Sequence, residues 1–196
     1  MTHEPYSASF RLILSSRAFR SAGLIFMALS LPLYLLVNRI SIVNVGIIYV
    51  GTALSNVLLS LGIGMLGDRI GYKYSLIMGE LPALLASGIL SFTRSIPLIV
   101  IATIISGSAG APGGMRGSFS VGITPYLARI WQDPSVRISK MANITFVASV
   151  ASIGGSLLLY LHGFLSRIYG NEGAFVMLYH ATFFLIMLSF ISLMLI

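Results

Sequence analysis

The sequence predicts an all-α membrane protein, a bundle of six transmembrane helices, and two observations carry that prediction. First, only 9% of its 196 residues are charged and 57% are hydrophobic, with a mean hydropathy of +0.96, whereas soluble domains average about 25% charged residues. Second, its apolar runs are continuous, as in "FFLIMLSFISLMLI", whereas strands of a membrane barrel alternate apolar and polar residues. Only helices and closed barrels satisfy the backbone in lipid, so the continuous runs indicate helices.

Charged and turn-forming residues divide the chain into six apolar stretches, and each stretch is predicted to form a helix. The predicted helices cover about 18–38, 42–66, 74–93, 97–129, 139–163 and 173–196. The connections between them are short, so residues 1–196 are predicted to form a single membrane domain.

The first stretch follows three arginines, as the h-region of a secretory signal does. Its apolar run extends from Ala22 to Val37, which is long for an h-region. The next residues, "NRIS", lack the small residues of a cleavage site. We therefore predict a retained helix.

The fourth stretch, 97–129, is too long for one straight crossing. Its interior, "GSAGAPGGMRGSFSVG", contains Pro112 and many glycines, which disfavour a regular helix. A break in a membrane helix is tolerated against other protein or a water-filled cavity. We predict that the segment 107–117 is not a regular straight helix.

Basic residues are distributed unequally between the two sides that six spans would create. Eight of the twelve Lys and Arg residues fall on the side of the termini and three on the opposite side, while Arg116 lies within the fourth stretch. The positive-inside rule then predicts a multi-pass protein of the plasma membrane with both termini in the cytoplasm. The turns at 39–41, 94–96 and 164–172 are predicted to lie outside. The charges stand singly at helix ends and form no stripe, which argues against a nucleic-acid partner.

Motifs typical of enzymes and metal sites are missing from the sequence. It has no cysteine, its three histidines are far apart in the chain, and neither H-E-x-x-H nor G-K-[ST] occurs. The five acidic residues are scattered. We therefore predict no catalytic activity, no metal site and no cofactor.

The stretch "GMLGDRIGYKYS" concentrates charge between the second and third predicted helices. Gly71 can adopt the positive φ that a reversal between two helices often requires. Asp68 lies near the end of a helix, where the dipole disfavours an anion, so it needs a donor: Arg69, Lys73 or the N-terminus of a neighbouring helix. Two interpretations stay open, an ordinary solvated loop and a latch that forms and breaks.

The spacing of this stretch resembles the loop signature of the major facilitator superfamily, G-x-L-x-D-R-x-G-[RK]-[RK], which lies on the cytoplasmic side between helices two and three. The pattern differs at Tyr72, where the family often has a second basic residue. The matching residues are Gly64, Leu66, Asp68, Arg69, Gly71 and Lys73. The resemblance implies the N-terminal six-helix half of a secondary transporter, built from two three-helix inverted repeats, whose charged loop residues hold a cytoplasmic gate.

A short internal repeat points in the same direction. "GMLGDRIG" at 64–71 and "GFLSRIYG" at 163–170 share Gly, Leu, Arg, Ile and Gly with a one-residue shift. In an inverted repeat, these two loops would be equivalent and would lie on opposite faces of the membrane.

Ionisable residues inside the apolar stretches are candidates for substrate or coupling sites, because they are costly in a bilayer. Glu80 and Arg116 qualify. Arg116 either contacts substrate or snorkels toward the cytoplasm or pairs with Glu80. Tyr34, Asn56 and Asn143 either supply hydrogen bonds in a polar cavity or join helices to one another.

Two functions follow as expectations. The resemblance implies secondary active transport of a small solute across the lipid bilayer by alternating access, with Arg116 as the leading substrate or coupling residue. The family normally has a second six-helix half, so the expected protein partner is a second copy of this chain or a separate half. The alternative is a six-helix membrane protein that does not transport, either an assembly partner or a truncated inactive remnant.

Overall fold

The computed structural model describes residues 7–106 and 118–196, and every regular element in this part of the chain is an α-helix. The predicted all-α class is therefore confirmed for these residues. By length and composition, four of the helices, α1, α2, α3 and α6, are able to cross a membrane, as in a membrane-embedded protein. The helices are α1 Ser7–Val37, α2 Ile42–Ile70, α3 Tyr72–Phe92, α4 Ile96–Ile105, α5 Ser118–Ile130 and α6 Pro134–Met194.

The long helix α6 consists of two segments, 134–169 and 171–194, that meet at Gly170. This glycine has φ 73° and ψ 166°, which is not a helical conformation. The ring centroids of His162 and Phe175 are 3.9 Å apart, whereas thirteen residues of a straight helix would span about 20 Å. The chain therefore reverses at Gly170, and α6 is a hairpin of two helices.

The helices α4 and α5 begin and end close to the limits of the predicted fourth stretch. α4 begins at Ile96 and α5 ends at Ile130, compared with the predicted 97–129. The irregular segment expected at 107–117, together with Arg116, lies outside the described residues.

The first helix starts earlier than the sequence suggested. α1 begins at Ser7 rather than at about residue 18, and Arg17 and Arg20 lie inside the bundle instead of flanking it. Phe10 and Ile13 are also buried, and all four side chains recur every three or four residues, so they share one face of the helix. The arginines therefore continue the buried face of α1.

Small residues bring the helices together. Their contacts join α1 and α3 to the segment 171–194, α2 to α4, and α3 to α5. The corresponding pairs are Gly23 against Ile186, Gly88 against Phe183, Gly51 against Ile104 and Gly122 against Leu76. Close approach at glycine replaces the hydrophobic driving force that helices lack in lipid.

One end of the bundle, which we call the Gly71 end, contains the start of α1, the α2–α3 turn and the α5–α6 turn. The rings of Phe10 and Trp131 meet edge to face with centroids 5.5 Å apart. The Lys140 ammonium lies 4.7 Å from the Phe10 ring centroid and 5.4 Å from that of Trp131. These contacts fasten the first turns of α1 to the α5–α6 turn.

The opposite end, which we call the Gly170 end, contains the α1–α2 turn, the α3–α4 turn and the reversal within α6. Arg94 Nε lies 3.7 Å from Glu172 Oε1 there, and Ile40 lies beside Ile96 in a shared groove. The three turns predicted to lie outside are therefore grouped at this end.

The burial of Arg17 and Arg20 changes the charge balance between the ends. Without these two, six basic residues remain at the Gly71 end: Arg11, Arg69, Lys73, Arg129, Arg137 and Lys140. The Gly170 end has three: Arg39, Arg94 and Arg167. The bias that favours a cytoplasmic Gly71 end becomes smaller but keeps its direction.

Candidate functional site

A buried ion pair joins α1 to α3 in the interior of the bundle. Arg20 Nη1 donates a hydrogen bond to Glu80 Oε2, and the side chains are 4% and 0% exposed. Sequence reasoning offers Arg116 as a partner for Glu80, but among the described residues the partner is Arg20. Removing either member would leave a charge buried away from solvent.

Arg17 lies one turn before Arg20 and is 1% exposed. The other acidic residues in the described part of the chain, Asp68, Asp133 and Glu172, are exposed or half-exposed. Two guanidinium groups therefore share the described interior with one carboxylate. Such an arrangement is costly in a membrane protein, which makes this pair a candidate functional site.

Further polar side chains are buried near Arg20 along α1. Ser16 Oγ lies 2.9 Å from Ser189 Oγ on the segment 171–194. Glu80 Oε1 and Ser21 Oγ have no hydrogen-bond partner among the residues that the structure describes. The interior beside α1 therefore has hydrogen-bonding capacity that the described residues do not use.

The second candidate site is the turn at Gly71, the single residue between α2 and α3. Its φ of 99° and ψ of 148° lie in a region that is essentially restricted to glycine, so the predicted positive φ is confirmed. Gly71 N donates to Gly67 O at 3.1 Å, and Ser75 Oγ donates to Ile63 O at 2.8 Å. These bonds close the turn within one residue.

The acidic residue of this turn is paired with a tyrosine. Tyr72 Oη donates to Asp68 Oδ1 at 2.7 Å, from the first turn of α3 to the last turn of α2. The sequence names Arg69, Lys73 or a helix N-terminus as the donor, but no ion pair of Asp68 occurs within the described ranges. The donor is therefore the residue at which the motif departs from the family pattern.

The remaining candidates lie in different parts of the fold. Tyr34 is buried in an aromatic cluster, with its ring centroid 5.4 Å from Phe175 and 5.2 Å from Tyr179, and it is about 21 Å along α1 from the ion pair. Asn56 is half-buried on α2, and Asn143 is exposed on α6. Tyr34 and Asn143 are therefore not part of the Arg20–Glu80 site.

Gly170 resembles Gly71 in conformation, with φ 73° and ψ 166° compared with φ 99° and ψ 148°. The two glycines are 99 residues apart and occupy the last position of the internal repeat. Exposed apolar side chains on α2 correspond, 99 residues later, to exposed apolar side chains on the segment 134–169. Both members of each of the following pairs are exposed: Ile47 and Phe146, Leu54 and Ile153, Leu58 and Leu157, and Met65 and Phe164.

Sequence reasoning missed three residues of these sites: Arg17, Arg20 and Tyr72. The sequence predicts the two arginines at the flank of the first helix, because charge normally marks a helix end in a membrane protein. Their register with Phe10 and Ile13 on one helical face was the signal that could have placed them inside.

No protein-family model, curated protein or solved structure matches this chain.

Proposed function

We propose that this chain is a six-helix half of a secondary transporter that moves a small solute across a membrane by alternating access. The observation that carries the proposal is the equivalence of the Gly71 and Gly170 turns. They share an unusual backbone conformation, close the same sequence repeat and lie at opposite ends of the bundle. Inverted repeats of this kind are typical of secondary transporters.

The packing of the helices supports the same repeat. Let α4 and α5 count together as the fourth segment, and 134–169 and 171–194 as the fifth and sixth. The first segment contacts the fifth and the sixth. The fourth segment contacts the second and the third, and the third segment also contacts the sixth. Exchanging segments one to three with segments four to six converts these contacts between the two halves into themselves, as an inverted repeat requires.

Two broad apolar faces are left uncovered by the fold. One is on α2 and the other on the segment 134–169, and their exposed side chains correspond through the repeat. A second six-helix unit, either another copy or a separate half, would pack on these faces and form a pathway between the two units. The Arg20–Glu80 pair and Arg17 would then supply the charges that couple solute binding to a change of state.

The alternative is a six-helix membrane protein that serves as an assembly partner without transporting. The uncovered faces suit that function equally well. The turn at Gly71 favours transport. The hydrogen bond between Asp68, in the last turn of α2, and Tyr72 is a contact that can form in one conformation of a transporter and break in another.

The test is Asp68→Asn, with solute uptake and membrane abundance measured in the same cells over a panel of labelled small solutes. We expect uptake of at least one solute with the unmodified chain and, with Asp68→Asn, a loss on the order of 5- to 30-fold at normal abundance. Tyr72→Phe, which removes only the hydroxyl that donates to Asp68, should weaken uptake in the same direction. Normal abundance without uptake of any solute, with or without a co-expressed partner, would favour the assembly partner.

A further inference from the structure

A groove of about 350 Å³ opens at the Gly71 end, between the α2–α3 turn and the last turns of α5. Its volume lies within the range of about 300–1,000 Å³ that is usual for small-molecule sites. Six of the residues that line it carry the argument: Ile70, Tyr72, Lys73, Tyr126, Arg129 and Ile130.

Two cations converge on this groove. Lys73 stands in the first turn of α3 and Arg129 in the last turn of α5, so residues from two separate helices face one space. The Arg129 guanidinium carbon lies 5.8 Å from the Tyr72 ring centroid, a contact that holds the cation at the rim. Among the described residues that line the groove, no side chain is acidic. The groove therefore favours an anion.

The remaining lining is amphipathic. Ile70 and Ile130 contribute apolar surface, and Tyr72 and Tyr126 each combine an aromatic ring with a hydroxyl group. The groove lies where α2 ends and α3 begins, the level at which membrane helices leave the hydrocarbon and at which tyrosines are enriched. A ligand that fits this combination has an anionic polar part and an apolar part next to it.

We propose that the groove binds the headgroup of an anionic phospholipid, with Lys73 and Arg129 as donors to the phosphate and the isoleucines against the glycerol and the first acyl carbons. Basic pockets between membrane helices are known to take such headgroups. The general excess of basic residues at this end explains the number of cations. It does not explain why two of them meet in a groove with apolar walls, whereas Arg11 and Arg137 at the same end lie outside the groove. This lipid site would be present whether or not the protein transports a solute.

The experiment measures thermal unfolding of the purified full chain in detergent, titrated with phosphatidylglycerol, phosphatidylcholine or inorganic phosphate. We expect phosphatidylglycerol to stabilise the protein well above the other two. The variant Lys73→Gln/Arg129→Gln should weaken the apparent affinity by about 25-fold, since each basic residue near an anionic surface contributes about five-fold. The charge-matched control Arg11→Gln/Arg137→Gln should bind as the unmodified chain does, and so should Lys73→Arg/Arg129→Lys.

Three results would overturn the proposal. Equal stabilisation by phosphatidylcholine would show that the charge of the lipid is not recognised. Equal stabilisation by inorganic phosphate would identify a site for free anions rather than for a lipid. An equal loss in the groove variant and in the Arg11/Arg137 control would show that only the overall charge of this end matters. If the groove variant does not fold, the other two variants still test the proposal. A lipid site in the groove requires that the Lys73→Arg/Arg129→Lys variant and the Arg11→Gln/Arg137→Gln control each retain the preference for phosphatidylglycerol.

Discussion

Arg20 on α1 and Glu80 on α3 meet in the interior of the bundle, where their ion pair is shielded from solvent by the surrounding helices. The two residues are separated by sixty positions in the chain. The pair therefore fixes the depth of α1 relative to α3.

Glu80→Gln should destabilise the bundle by about 3–5 kcal/mol, because the Arg20 charge would stay buried without its carboxylate. Adding Arg20→Gln removes that charge, so the double variant should be more stable than Glu80→Gln alone. Thermal unfolding of the single and double variants in detergent gives the ranking. A double variant that is no more stable than Glu80→Gln would show that the two side chains are not coupled.

Gly155→Ala should disrupt the contact between α1 and the segment 134–169. A Cβ atom at Gly155 would lie 2.1 Å from the carbonyl oxygen of Ala22 and 2.3 Å from a methyl carbon of Ile25, so the backbone would have to move. The adjacent Gly154 is the matched control, since a Cβ there meets nothing within 4 Å and alanine favours helix by about 1 kcal/mol over glycine. Lower thermal stability for Gly155→Ala, with no loss for Gly154→Ala, is the expected result. Equal behaviour of the two variants would contradict this close helix contact.

Gly71→Ala and Gly170→Ala should each cost about 1–3 kcal/mol, because alanine is strained in the conformation that both glycines adopt. Gly163→Ala serves as the control, since it lies in the same repeat but has neither a positive φ nor a neighbour within 4 Å of its Cβ position. The measurement is again thermal unfolding. If only one of the two turn variants is destabilised, the turns are not equivalent.

Single cysteines at Ser41, Ser95 and Ser135 should report the orientation of the bundle, because the sequence contains no other cysteine and all three positions are exposed. Ser41→Cys and Ser95→Cys, at the Gly170 end, should react with an impermeant thiol reagent added to intact cells. Ser135→Cys, at the Gly71 end, should react only after permeabilisation. The six-to-three distribution of basic residues is the reason for this expectation, and the opposite labelling pattern would invert the topology.

Local patterns allowed part of this structure to be predicted. The helical class follows from continuous apolar runs, and the positive φ of Gly71 follows from its position between two helices, since both depend on residues close together in the chain. The α2–α3 connection is shorter than expected because Gly71 alone reverses the chain, so that Asp68 lies within α2 and Lys73 lies in the first turn of α3.

Long-range pairing was the part that could not be predicted. Charge in an apolar sequence normally marks a helix end, so the sequence predicts Arg17 and Arg20 at the cytoplasmic end of the first helix. Arg20 pairs with Glu80, which comes from another helix, and no local pattern indicates which of several cations will reach that carboxylate. The donor to Asp68 is a separate case, because it is local: the sequence predicts a cation or a helix N-terminus as the donor, whereas the tyrosine four residues later supplies it.

The pairing of Arg20 with Glu80 also has a consequence for biogenesis. The carboxylate is synthesised sixty residues after the guanidinium, which at about 5–20 residues per second takes about 3–12 s. During that time α1 contains two arginines, and each would cost about 2.5–3.5 kcal/mol near the centre of an isolated membrane helix. Insertion of α1 is therefore less favourable before α3 is made than after it, because Glu80 of α3 then pairs with one of the two charges.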